Sequence, residues 1–362
     1  MTDPAETERL RRAFLEQRYF ASLDGLRAIS IVPVVWHHCS LQPHAGILGR
    51  GPLGVDLFFA ISGFLITTLL VRERGRFGQI DLAAFYARRS LRIFPLYYLV
   101  FGLHLLYALF VRPDWEPCRR FLARWPYYAT YTANWLSGVE QAGPALFVFA
   151  WSLCTEEQFY AFWAPVLRWS RRLSLAAGII GAWLIVDILL EHWCGGGSEP
   201  GRSLSYRIIT SFSGSIGFGA LLALAIHDKT LGAWLWRLVG RRHSATAAAA
   251  LVVILVASPW ARTPVMYLCL ALLVLCCAVR RDHGLSRLLD PAAPRFIGRI
   301  SYGIYLWHLP AIGLVQAVAP RWREQPVMVF VLALPLSVGI AAVSYRFFEQ
   351  RMLALGARFR RA

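Results

Sequence analysis

Apolar residues run along this chain in blocks, separated by short breaks rich in arginine, and these blocks predict its elements better than any shorter period does. A hydrocarbon core about 30 Å thick takes about 20 mostly apolar helical residues to cross. Runs at 26–42, 53–71, 93–111, 146–167, 174–193, 207–226, 244–259, 264–280, 299–317 and 327–347 approximate that length. The stretch 121–138, FLARWPYYATYTANWLSG, is as aromatic and polar as it is aliphatic, so hydropathy alone leaves it open.

Charge resolves it, because cytoplasmic loops collect Lys and Arg. If 121–138 does not span, the arginine-rich segments all fall on one side. These are the N-terminus, the loop with Arg72, Arg74, Arg76, Arg88, Arg89 and Arg92, the turn with Arg168, Arg171 and Arg172, and the loop with Arg237, Arg241 and Arg242. Arg280, Arg281, Arg287, Arg295 and Arg299 follow, and the tail adds Arg351, Arg358, Arg360 and Arg361. If 121–138 spanned, every later loop would invert. The expectation is an all-α polytopic membrane helix bundle of about ten transmembrane helices with both termini cytoplasmic. Residues 1–22 form a cytoplasmic segment, 23–350 the transmembrane domain and 351–362 a cytoplasmic tail, with 121–138 at the outer interface and 112–146 in an outer loop. The first 22 residues lack the apolar core and small-residue cleavage site of a signal peptide and read as a short amphipathic helix on the inner face.

Composition agrees. With 57% hydrophobic and 16% charged residues and a mean hydropathy of +0.47, the chain is too apolar for a soluble globule of this size. The net charge of +17 would point to nucleic acid in a soluble protein, but here the arginines sit between apolar blocks as topology signals. The expected partner is therefore the lipid bilayer, and no nucleic acid. Seven cysteines, at 39, 118, 154, 194, 269, 276 and 277, form no CxxC pair, so neither a zinc site nor a disulfide framework is expected, and no metal.

Ionisable residues inside spans are candidates for function, because their burial must be offset by partners or a wet cavity. LDGLRAISIVPVVWHHCS at 23–40 holds Arg27 and His38, eleven residues apart. At ~100° per residue they return to within about 20° of one face, about 16 Å apart along the axis. His37 is turned a quarter-circle away. The bland alternative for His38 is a bond to a neighbouring carbonyl. GPLGVDLFFAISGFLITTLL carries Asp56 at its outer end, as a cap or as chemistry, and Ser62-Gly63 as a small face. In FYARRSLRIFPLYY, Arg89 and Arg92 at i, i+3 share a face at the cytoplasmic entrance of their helix, suited to bidentate phosphate binding or to anchoring. WSLCTEEQFYAFW places Ser152, Glu156, Glu157, Gln158 and Tyr160 near the outer end of a helix, where an acid orients a histidine, binds an acceptor hydroxyl or pairs with an outer-loop arginine. ISYGIYLWHLP brings Tyr305 and His308 to mid-depth beside Pro310, which breaks backbone bonding and suggests a cavity. No P-loop, GxSxG, HExxH or GxGxxG in a strand–helix setting occurs. A phosphate-binding pair at one mouth and an intramembrane histidine in line with a third arginine fit a long anionic ligand with a buried reactive end, such as a nucleotide thioester. A secondary transporter for an anionic or sugar-linked solute competes, though no internal repeat supports it.

In order, these motifs resemble the acyltransferase-3 family of integral membrane O-acyltransferases, which modify sugars of surface polysaccharides, lipids and some antibiotics. The likeness runs from LDGLRA through GVDLFFAISGFLI, FYARRSLRIFPLYY and WSLCTEEQFY to SYGIYLWH, with FFEQR a weaker version of the closing motif. The family's arginine and histidine match Arg27 and His38, its paired arginines Arg89 and Arg92, and its glutamate Glu156. Cys154 and Thr155 depart from the usual Ser and Val. The frequent esterase-like extension has no counterpart in this sequence, so a transfer step that depends on such a domain is not assumed. The resemblance implies acyl-CoA, most often acetyl-CoA, as co-substrate, and a carbohydrate, glycolipid or other hydroxyl as acceptor. On this footing the expected roles are His38 as base, or as a transiently acylated nucleophile, with Glu156 orienting a histidine or the acceptor, Arg27, Arg89 and Arg92 binding the donor's phosphates, and Asp56, Tyr305 and His308 lining the acceptor side, in a bacterial cytoplasmic membrane.

Overall fold

A computed structural model describes residues 4–39, 46–136, 146–194, 203–258 and 263–359. Among these residues the chain is helix and turn, with no strand. The helices are α1 (Pro4–Glu16), α2 (Ala21–His38), α3 (Leu53–Phe77), α4 (Leu82–Leu106), α5 (Glu116–Ala129), α6 (Ala150–Trp169), α7 (Leu173–Cys194), α8 (Leu204–Ile209), α9 (Gly214–His227) and α10 (Lys229–Val239). They continue with α11 (Ser244–Val256), α12 (Pro264–Val279), α13 (Ser286–Leu289), α14 (Ala292–Arg299), α15 (Ser301–Val318), α16 (Pro326–Ser344) and α17 (Gln350–Ala357).

Five helices are long and apolar enough to cross a membrane: Leu53–Phe77, Leu82–Val111, Leu173–Leu190, Leu204–His227 and Pro326–Ala357. Two bent pairs, α1 with α2 and α10 with α11, raise the number to seven if each is one span. The other expected spans are helical but depart from that standard for visible reasons. α6 carries Glu156, Glu157 and Arg168, α12 has 16 residues, and α15 is diluted by Tyr302, Tyr305, His308 and Gln316. The run 207–226, within the Leu204–His227 span counted above, carries an internal break: α8 stops at Ile209, and Ser213 restarts the helix by accepting the Ser215 N–H. Residues 121–138 hold only α5 and a short 3-10 turn, Ala133–Leu136. Phe121 and Tyr128 of α5 pack against Phe147, and Phe121 also meets Phe101 of α4. Residues 137–145 of the expected outer loop, and Arg360 and Arg361 of the expected tail, lie outside the described residues.

Local chemistry sets the turns. Gly78, at φ 75°, takes the left-handed position that ends α3, and its N–H bonds the Arg74 carbonyl at 2.9 Å. Asp81 then caps α4 by accepting the Ala84 N–H at 3.0 Å. The most intimate packing joins α3 to α9. A Cβ at Gly63 would strike the Ile216 carbonyl, and one at Gly219 the Ala60 carbonyl, so hydrogen side chains on both helices let the backbones touch.

The N-terminal helix is docked rather than lying loose on a surface. Phe14 is fully buried among Phe20, Phe64 and Trp236. Arg72 of α3 donates to the carbonyls of Phe14 at 2.6 Å and Gln17 at 2.7 Å, closing the end of α1. At the other end, helix runs without a gap from Pro326 to Ala357, through a π turn at Tyr345–Glu349. It thus passes straight through residue 350, and α17 packs on α4.

Candidate active site

Site residues come from α2, α4, α6 and α15. α2 is held at its start by a close crossing with α14, where a Cβ at Gly298 would collide with the Asp24 backbone. Asp24 pairs with Arg27 at 3.1 Å and accepts the Tyr19 hydroxyl at 2.6 Å. Arg27 therefore has a carboxylate one turn before it, and its side chain keeps 19% exposure, enough to meet a further anion.

At the far end of α2, His38 Nδ1 lies 2.9 Å from the Val34 carbonyl. A carbonyl only accepts, so Nδ1 carries the proton and the neutral ring's lone pair is on Nε2. The same arrangement recurs in His308, whose Nδ1 meets the Tyr305 carbonyl at 2.5 Å while Nε2 is buried without a partner. The two rings meet edge to face, centroids 4.9 Å apart. The Tyr305 hydroxyl sits between Ser152 Oγ at 2.6 Å and the Phe149 carbonyl at 2.9 Å. The packing of α2 against α15 thus brings His38 to His308, which helical period sets beside Tyr305. Asp56 is elsewhere, with Ser213 Oγ donating to it at 3.4 Å across the break between α8 and α9.

The acids form a second cluster. Arg89 Nη2 donates to Glu156 Oε1 at 2.9 Å, and its Nε lies 3.7 Å from Glu157 Oε1. Its guanidinium also stacks 4.1 Å above the Tyr160 ring. Ser62 Oγ at 2.7 Å and the Tyr160 hydroxyl both donate to the same Glu156 oxygen. Two expectations change here. Glu156 is the seventh residue of the twenty in α6 and faces the early part of α4, not the outer end of its helix, and its cation is Arg89, not an outer-loop arginine. Arg89 is consequently engaged by carboxylates. Arg92, one turn on, is not: it is exposed, makes no hydrogen bond among the described residues, and has Arg27 and Arg89 as positive electrostatic neighbours with Asp24 the negative one.

The two clusters are joined through α6. Ser152 and Glu156 are one turn apart, about 6 Å along the axis, and Ser152 contacts Tyr305, which stands three residues before His308. Arg27, Arg89, Arg92, Glu156, Tyr305, His308 and His38 thus form one connected band across four helices.

The family described as an acyltransferase domain matches residues 20–346. The chain belongs to the acyltransferase-3 family. Among curated proteins it is similar to the O-acetyltransferase OatA of Staphylococcus aureus, 26% identical over 377 residues that cover 96% of this chain and 59% of that protein. It is also similar to the peptidoglycan O-acetyltransferase OatA of Listeria monocytogenes, 28% identical over 363 residues covering 92% of this chain and 56% of that one. The putative peptidoglycan O-acetyltransferase YrhL of Bacillus subtilis is 28% identical over 366 residues, 94% of this chain and 56% of its own. The chain thus spans less than three fifths of the length of these relatives. No solved structure matches.

Other groups around the site were missed in the sequence. His104 of α4 bonds its own Val100 carbonyl at 2.7 Å, packs on Phe147 and is an electrostatic neighbour of His308. It lies inside an expected span, so the signal that singled out His38 was present for it too. Ser62 read as a packing residue, and its bond to Glu156, 94 positions away, left no trace in local pattern. Chemically, the band offers a neutral imidazole with a free lone pair, a fixed carboxylate and two accessible guanidinium groups. Among the described residues no cluster of three or more His, Cys, Asp or Glu could hold a metal ion.

Proposed function

We propose that this protein is a multi-pass O-acetyltransferase of a bacterial cytoplasmic membrane, crossing it about ten times with both termini inside. On this reading it moves an acetyl group from acetyl-CoA to a hydroxyl of a cell-surface carbohydrate or its lipid-linked precursor. The names of its relatives favour a peptidoglycan-type glycan as acceptor. The observation that carries the reading is His38: Nδ1 held by the Val34 carbonyl, Nε2 free, on the same face of α2 as Arg27.

Arg27 and Arg92 take the phosphates of the donor at the mouth, and its neutral arm follows α2 to the imidazole. Among the described residues Arg92 makes no hydrogen bond and Arg27 pairs with Asp24 alone, which leaves both with donors for phosphate, and bonds from a charged donor to phosphate are short and strong. Nε2 of His38 removes the acceptor's hydroxyl proton as the oxygen attacks the thioester carbonyl. The C–O bond forms, the C–S bond breaks, and the imidazolium returns its proton to the leaving thiolate. Arg89 acts by holding Glu156, and Glu156 with Ser152 and Tyr305 keeps His308 and the acceptor aligned. His38→Ala is expected to lower transfer from acetyl-CoA by at least about 10²-fold, the usual contribution of a general base, in purified protein whose membrane expression and thermal stability match wild type. Transfer retained by a well-folded variant overturns the assignment.

A further inference from the structure

At the start of α2 a cavity of about 380 Å³ opens among the segment between α1 and α2, the end of α12 and the α13–α14 corner. Arg18, Arg281 and Arg295 line it, with Tyr19, Ser22 and Asp290. Arginines are ordinary at a membrane's inner face, but these three converge on one cavity without being committed to a partner. Among the described residues none of them forms an ion pair or hydrogen bond, and Nε of Arg295 is buried without a partner. The adjacent Arg280 shows the contrast: Asp282, Glu6 and the Gly240 carbonyl occupy it from three sides. The one acid in the cavity is also occupied, because Ser22 donates to Asp290 at 2.6 Å and His283 Nε2 holds Ser22 at 2.9 Å. Three free guanidinium groups against one engaged carboxylate make an anion site, and their fork geometry suits phosphate.

The cavity connects to the site already described. Tyr19 lines it and donates to Asp24, which pairs with Arg27, and Arg27 neighbours Arg92. Ser22 and His38 are sixteen residues apart on α2, about 24 Å along the axis. A ligand with one anionic end in the cavity, a second anionic group at Arg27 and Arg92, and an extended arm has its tip near His38. Tyr19, half exposed, offers a ring face to a base.

We infer that this cavity binds the 3′-phosphorylated adenosine end of the donor, with Arg18, Arg281 and Arg295 around the 3′-phosphate and Tyr19 beside the adenine. The inference rests on the acyl-CoA reading above. An anionic lipid headgroup presents the same phosphate chemistry, and the test separates the two.

Purified full-length protein in nanodiscs of neutral lipid is titrated with adenosine 3′,5′-bisphosphate, and transfer is measured from acetyl-CoA and from its 3′-dephospho analogue. Wild type is expected to bind the bisphosphate and to prefer acetyl-CoA. Arg281→Gln and Arg295→Gln are each expected to weaken bisphosphate binding and raise KM for acetyl-CoA by about tenfold, the worth of one charge-assisted bond. Their kcat should not change, and the preference over the dephospho analogue should collapse. Variants with unaltered KM and unaltered preference, in a protein that does transfer acetyl, overturn the inference and leave the activity standing. So does the outcome in which both are unaltered while the stabilisation conferred by phosphatidylglycerol is lost, which assigns the cavity to a headgroup. Bisphosphate binding that disappears in the variants of a protein without transfer from acetyl-CoA supports the cavity and removes the donor reading.

Discussion

The two ends of α2 handle their polar side chains in opposite ways. At the His38 end, imidazoles lie among aromatic rings and spend one nitrogen on a carbonyl of their own helix, His38 on Val34 and His308 on Tyr305. At the Arg27 end, guanidinium groups either find carboxylates, as Arg27 and Arg89 do, or keep contact with solvent, as Arg92 does. The difference follows from charge. A neutral ring needs only one bond to be tolerated away from water, whereas a permanent cation must be neutralised or hydrated. An imidazole lone pair is thus left free among aromatic rings, while the permanent cations stay paired or exposed.

Breaking the comparison at its strongest point means Arg89→Ala. This leaves Glu156 and Glu157 facing each other in the bundle without their cation, and removing one partner of a buried pair costs about 3–5 kcal/mol. A fall in thermal stability is expected beside the loss of activity; an Arg89→Ala protein as stable as wild type and defective only in KM would return Arg89 to ligand binding. Arg92→Ala should behave differently, with unchanged melting and KM for acetyl-CoA raised by about tenfold. Equal destabilisation in the two variants would erase the distinction between them.

Smaller effects sharpen the picture. Tyr305→Phe removes one hydroxyl shared with Ser152 and the Phe149 carbonyl, for a stability loss of about 1 kcal/mol and a several-fold drop in kcat if it aligns His308. A kcat equal to wild type confines Tyr305 to packing. Outside the bundle, Arg280 holds the Asp282 carboxyl below its ordinary range. A lowered carboxylate contributes stability that is present above the unfolded pKa and lost as pH falls through the folded one. Hydrogen exchange at residues 280–285 is expected to rise in acid in wild type, and to be fast and nearly pH-insensitive in Asp282→Asn once the intrinsic rate is divided out. A loop in Asp282→Asn as protected as in wild type would show that the Glu6 and Gly240 contacts of Arg280 suffice to fasten it.

Much of this was legible before any coordinates. Arg27 and His38 share a face because both belong to one helix, whose period is known, and Tyr305 and His308 follow from the same geometry. What escaped was everything that depends on which helices adjoin. Glu156 was set near the outer end of its helix, with an outer-loop arginine as its alternative partner. The docking of α1 under Phe14 was hidden for a similar reason, since a charged amphipathic helix reads alike whether its apolar stripe meets lipid or protein.

Block hydropathy, loop charge and helical period are local properties, and from the residues alone they specify an all-helical membrane chain with its polar positions and their faces. The pairing of Arg89 with Glu156 across 67 positions, the meeting of His38 with His308 and the freedom of Arg92 depend on the adjacency of α2, α4, α6 and α15. That adjacency is decided by close packing of whole helices, as where Gly63 and Gly219 let α3 and α9 touch, and helix contacts are cooperative sums over many weak interactions that no short stretch of chain encodes.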